Sequence, residues 1–143
     1  MTAKLPDSVA RAALNDVERR AIERIADLLQ AELGEDLLAL WLYGSRARGE
    51  ADPDETDDDR RSDIDMIAIV DPSRDVTAFK RALTLPMFAA IEAEGDSPVF
   101  YSLHVYDADH LRNRRRIRSF FFQEVDRDKI VLAGSALEGG ECG

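Results

Sequence analysis

The chain of 143 residues is long enough to bury one core without disulfide staples, and its 45% hydrophobic and 34% charged content is that of a folded globular protein. A formal charge of -10 argues against a general grip on nucleic acid, which needs Lys and Arg facing the phosphates. The single cysteine, Cys142, allows no internal disulfide, the opening MTAKLPDSVA lacks the apolar stretch of a signal peptide, and no apolar run approaches a bilayer span, so a cytoplasmic protein without a membrane segment is expected.

Between residue 15 or 16 and residue 33, Val17, Ala21, Ile22, Ile25, Leu28, Leu29 and Leu33 recur at spacings of three and four. That pattern predicts an amphipathic helix, with Gly34 as its natural end. Residues 37–43 are short, apolar on both faces and bounded by turn signals, which predicts a buried strand. Gly44 and Ser45 end it, and Ser45 is expected to cap a short helix that Gly49 terminates. Residues 50–62, EADPDETDDDRRS, have no run of apolar side chains and read as an acidic, solvated insertion. A second strand is predicted over 63–70, closed by the turn residues Asp71, Pro72 and Ser73.

A helical region over 74–94 follows, broken or kinked near Pro86. Residues 99–106 alternate, with Val99, Tyr101, Leu103 and Val105 on one face and Phe100, Ser102, His104 and Tyr106 on the other, which predicts a third strand. One last helix is expected from Asp107 or Asp109 through HLRNRRRIRSFFFQEV, then a short strand over 130–132 and a flexible tail over 133–143. Trp41 is expected in the core. Together the elements predict a single α/β (α+β) domain over 1–143, with a mixed sheet of three or more strands flanked by helices.

Two stretches carry chemistry. Asp63 and Asp65 stand two apart on a strand, so their carboxylates share a face, with α-carbons roughly 7 Å apart. Side by side they repel unless a cation intervenes, and Mg²⁺ is the natural one: hard, oxygen-loving, and usually held by one or two carboxylates plus substrate phosphates. Two such ions about 4 Å apart clamp the attacking and leaving oxygens of a phosphoryl displacement. Gly44 lets the backbone approach an anion, while the Ser45 hydroxyl and the amides after it can hold a terminal phosphate. Arg46 and Arg48 are expected to add positive charge. Alone, a Gly-Ser pair or an Asp-x-Asp marks nothing; each at the appropriate end of a strand, they suit a metal-nucleoside triphosphate. Gly44-Ser45 is no Walker loop, since no Gly-Lys-Ser/Thr follows, and the acidic stretch fails as an EF-hand because Asp57 stands where Gly is needed and Asp63 where Glu is needed.

LYGSRARGE followed by SDIDMIAIV resembles the paired motifs of the small nucleotidyltransferases of the DNA polymerase beta superfamily, and FFFQEVDRDKIVLAG is similar to the closing segment of many minimal members. The resemblance spans roughly residues 21–132. It implies a small nucleotidyltransferase fold in which Asp63 and Asp65 hold two Mg²⁺ ions and Gly44 and Ser45 contact the triphosphate. A nucleoside monophosphate would then pass from ATP or another nucleoside triphosphate to a hydroxyl, with release of pyrophosphate. It also implies a partner protein as acceptor, since minimal members resembling this chain act as the antitoxin of a helical toxin; a homo-oligomer is the other expected assembly.

Two departures qualify the likeness. The connector between the motifs is longer and more acidic than usual, which fits a hydrated surface insertion better than a lid that repels uncomplexed triphosphate. The third carboxylate that such proteins carry on the next strand falls at His104. His104 is open to two roles, a general base with an ordinary pKa near 6.5 or a half-buried strand histidine. The alternative function is therefore a catalytically impaired nucleotide-binding or regulatory protein on the same fold. Arg112, Arg115 and Arg116 are expected to pair with the chain's own carboxylates rather than bind triphosphate or a partner, and the 120–122 aromatic run to serve core or subunit interface.

Overall fold

The computed structural model describes residues 5–50, 52, 62–95 and 99–137. A short 3-10 turn, Asp7–Arg11, leads into helix α1 (Asp16–Leu33). Asn15 caps α1 with a reciprocal pair of bonds: its side chain accepts from the Glu18 amide at 2.9 Å, and the Glu18 carboxylate accepts from the Asn15 amide at 3.0 Å. The apolar stripe read from the sequence is the buried face, with Ala21, Ile22, Ile25, Leu29 and Leu33 all in the core.

Strand β1 (Leu37–Tyr43), the short helix α2 (Gly44–Arg48), strand β2 (Ile64–Val70), helix α3 (Val76–Glu92) and strand β3 (Tyr101–Asp107) follow. Helices α4 (Ala108–Arg116) and α5 (Phe120–Asp128) and strand β4 (Ile130–Gly134) come last among the described residues. Among the described residues the sheet is four-stranded and mixed, in the order β3-β2-β1-β4. Strand β1 runs antiparallel to β2 and β4, while β2 and β3 are parallel and joined through α3. Leu40, Leu42, Ile64 and Met66 join α1 and α3 in one apolar layer; Trp41, Ile67 and Ile69 join Leu111, Phe122 and Val125 in the other. Helices on both faces explain why β1 is apolar at every position.

Four expectations from the sequence are corrected. Helix α3 runs unbroken through Pro86, whose side of the helix is exposed. The last helix is two: Arg118, with φ 56°, turns the chain between α4 and α5. Ser45 does not cap α2, because the helix begins one residue earlier, at Gly44, with Tyr43 preceding it. Residues 133–137 are not a loose tail: β4 extends to Gly134, and the carbonyls of Ser135, Ala136 and Leu137 accept from Trp41 Nε1, Lys129 Nζ and the Arg115 guanidinium. Most of the acidic 50–62 insertion and residues 138–143 lie outside the described residues. No helix among the described residues is long and apolar enough to cross a membrane.

Arg112 and Arg115 of α4 pair with the chain's own acids, whereas Arg116 donates to the Asn113 amide oxygen at 2.6 Å. Arg115 grips Asp126 through two bonds of 2.8 and 3.0 Å, and Arg112 reaches Asp109 at 2.9 Å. Lys129 adds a third bond to Asp126 at 2.8 Å and lies 4.1 Å from the Trp41 ring centroid. Burial alone would raise the Asp126 pKa, but the bonds from Arg115 and Lys129 outweigh it and hold the carboxyl below its ordinary value. A depressed folded pKa contributes stability above the unfolded value and loses it as pH falls through the folded one. Thermal melts should therefore show stability falling below about pH 4, and Asp126→Asn should lower the neutral-pH melting temperature while flattening that acid limb.

Candidate functional site

Topology brings the two sequence motifs to one end of the sheet. Because β1 and β2 are antiparallel, the last residue of β1, Tyr43, lies opposite Asp65 at the start of β2. Gly44 comes next and leaves room for the same carboxylate: a Cβ added there would sit 2.9 Å from Asp65 Oδ2. Gly44 also has φ 80°, which disfavours any side chain. Strand β3 runs parallel to β2 and so starts at the same end, with Ser102 opposite Asp65 and His104 opposite Ile67. Period-two alternation puts Asp65, Ser102, His104 and Tyr106 on one face.

Asp63 stands exposed immediately before β2, and Asp65 is half-buried. Burial, then the neighbouring Asp63, raises the Asp65 pKa, and His104 opposes them. The two acids thus repel across a partly dry surface, a strain that a cation relieves. Among the described residues no group of three His, Cys, Asp or Glu side chains converges as a set of metal ligands. Two carboxylates are the hard oxygen donors that Mg²⁺ accepts, and phosphate oxygens and water ordinarily complete its shell. The donor set therefore fits a metal arriving with a phosphorylated ligand.

His104 is half-buried and stacked on Tyr106, with ring centroids 6.1 Å apart and planes 8° apart; Ser102 Oγ lies 3.5 Å from its Nε2. Burial and then the Lys80 charge lower its pKa, against the pull of Asp65. That shift favours the neutral ring, the form that accepts a proton. Asp107, just beyond, is occupied as the cap of α4, accepting from the His110 amide at 2.7 Å.

The two arginines expected at a triphosphate are placed otherwise. Arg46 is fully buried, paired with Glu18 at 2.7 Å and donating to the carbonyls of Ala13 and Ser62 at 3.0 and 3.1 Å. It faces inward and ties the Gly-Ser turn to the chain entering Asp63. This corrects its assignment as a phosphate contact: a buried guanidinium needs a partner acid, and Glu18 supplies it. Arg48 engages Glu50 at 3.0 Å and Asp128 at 3.4 Å.

Three neighbours were not assigned to the site from the sequence. Tyr43 borders Asp65, and its phenol is pushed up to about 12 by burial, then by Asp65 and Tyr106, so it stays protonated. Its place beside Gly44 was the available signal. Ser102 pairs with Asp65 only through the β2–β3 register. Lys80 comes from α3, and no sequence feature points to it; with Leu83, Met87, Phe88, Phe100 and His104 it lines an open cavity of about 770 Å³ beside β3.

Gly44→Ala should place a methyl group against Asp65 and force a left-handed backbone on alanine. The expected result is a loss of about 1–2 kcal/mol of stability together with a larger loss of Mg²⁺-dependent triphosphate affinity, checked by thermal melts and titration calorimetry on the same variant. Loss of stability with unchanged affinity would separate Gly44 from the site.

No family model and no curated protein sequence matches the chain. Among solved structures, the chain is similar to a Sulfolobus solfataricus protein described, provisionally, as a nucleotidyltransferase and solved at 1.40 Å resolution. The match covers 87% of this chain and 82% of that one, at 18% identity and a TM-score of 0.38.

Proposed function

We propose that the protein transfers a nucleoside monophosphate from ATP or another nucleoside triphosphate to a hydroxyl group, on the small nucleotidyltransferase fold that its paired motifs resemble. The observation that carries this is the seat of Gly44 beside Asp65, where a Cβ on residue 44 would lie 2.9 Å from the carboxylate oxygen; it brings an anion-accepting turn next to a pair of acids. Asp63 and Asp65 would hold Mg²⁺, which when bound offsets their repulsion and the charge of the phosphates.

The chain's own residues supply the rest. Gly44, lacking a side chain, lets the phosphate tail approach the main chain, and the Ser45 hydroxyl orients it. Neutral His104 takes the proton from the acceptor hydroxyl as that oxygen attacks the α-phosphorus; the bond to the bridging oxygen breaks and pyrophosphate leaves. The acceptor we favour is a hydroxyl side chain of a partner protein.

The alternative is a nucleotide-binding protein without transfer activity. It draws on one specific observation: the side chains of β3 on the Asp65 face are Ser102, His104 and Tyr106, with no acid among them, and Asp107 is committed to capping α4.

The deciding experiment incubates the protein with each α-labelled triphosphate and Mg²⁺, with and without cell lysate or a co-encoded neighbouring protein. Transfer of label, lost in Asp63→Ala, supports catalysis. Metal-dependent binding with no label transferred under any condition supports the binding protein. Transfer that survives Asp63→Ala contradicts the site itself. His104→Ala separates roles: a base is required for transfer but not for binding, whereas a spectator is required for neither.

A further inference from the structure

Helix α3 is apolar on two opposite faces. Leu83 is buried, and Phe79, Met87 and Ile91 pack on the core beside it. On the side turned away, Arg81, Leu85, Phe88 and Glu92 recur at spacings of four, three and four, and all four are exposed. Leu85 is 78% exposed and Phe88 57%. Phe100, 63% exposed, lines the same cavity as Phe88 and widens the apolar patch. A helix with apolar residues on its solvent face has something to cover there.

The order of the stripe says what. It reads basic, apolar, apolar, acidic, and it is its own complement when reversed. Laid antiparallel on a copy of itself about a two-fold axis between residues 86 and 87, it sets Arg81 opposite Glu92 and Leu85 opposite Phe88, each pair occurring twice. Spacings of four, three and four are those of a helix–helix seam, and a two-fold contact requires a patch that matches itself. Neither Arg81 nor Glu92 has an ion-pair partner among the described residues. We propose that the protein forms a two-fold homodimer through this face of α3, with Leu85 and Phe88 at its centre and Arg81–Glu92 pairs at both ends.

The test is sedimentation equilibrium of the full chain over a wide concentration range, with circular dichroism to confirm that each variant is folded. The wild type should move from the 16.0 kDa monomer toward twice that mass as concentration rises. Leu85→Glu should weaken association at least about tenfold. R81E and E92R should each weaken it by about three- to tenfold, because like charges then face each other at both ends. An equimolar mixture of R81E and E92R chains should regain wild-type association, since each chain then meets its complement. A wild type that stays monomeric throughout overturns the proposal. So does a dimer indifferent to Leu85→Glu, a mixture that associates no better than either variant alone, or a face that takes up only a different protein.

Discussion

Arg46→Ala should destabilise the folded chain by about 3–5 kcal/mol, the cost of stranding one member of a buried ion pair. Glu18 and Arg46 are 1% and 0% exposed, so the carboxylate left behind could not reach water without opening the fold. The carbonyls of Ala13 and Ser62 would lose a donor in the same step. Denaturant melts measure the loss. Replacing both partners by apolar residues of similar volume, Glu18→Met with Arg46→Met, should cost less than Arg46→Ala alone, because no charge is then left in the core. The double variant still forfeits the Glu18 half of the α1 capping box, about 1 kcal/mol. If Arg46→Ala costs no more than an ordinary surface change, the pair does not hold the turn to β2.

Asp65→Asn should do the opposite to stability while removing the proposed function. Asp65 is half-buried beside Asp63, and both burial and that neighbour push its pKa up. A raised carboxyl pKa means that the ionised form opposes folding at neutral pH, so the isosteric amide should raise the melting temperature. Mg²⁺-dependent triphosphate affinity should fall about 100-fold or more, since even residues behind a metal's direct ligands are worth 10–100-fold. Stability up and binding down is the signature of a strained functional site, which a merely structural carboxylate would not give. Unchanged affinity in a stabilised Asp65→Asn would remove Asp65 from the site.

What the sequence could show depended on whether the cause was local. Strand β1 was legible because burial on both faces leaves a run with no polar interruption, from Leu37 to Leu42. The span of α1 was legible from its apolar spacing; its Asn15–Glu18 cap came only with the structure. The convergence of Gly44 with Asp65 was legible as an expectation only, since it depends on β1 and β2 being neighbours.

The split between α4 and α5 had no marker: Arg118 takes a left-handed conformation without being Gly or Asn, so the helical pattern read straight through it. Arg46 was misread for a different reason. Its partner Glu18 lies 28 residues away, and nothing in either local pattern says that they meet. The anchoring of residues 135–137 was invisible because it uses main-chain carbonyls, which every residue has. Trp41 Nε1 needed an acceptor once buried, but the sequence could not say which.

The central claim is that one metal-phosphate site lies between Gly44-Ser45 and Asp63-Asp65. Paramagnetic Mn²⁺, added with a non-hydrolysable nucleoside triphosphate analogue to isotope-labelled protein, tests it most directly by nuclear magnetic resonance. Amide signals of residues 43–46, 63–65 and 102–104 should broaden first and together, and Asp65→Asn should abolish the effect. Broadening that is absent, or centred elsewhere and untouched by Asp65→Asn, would contradict it.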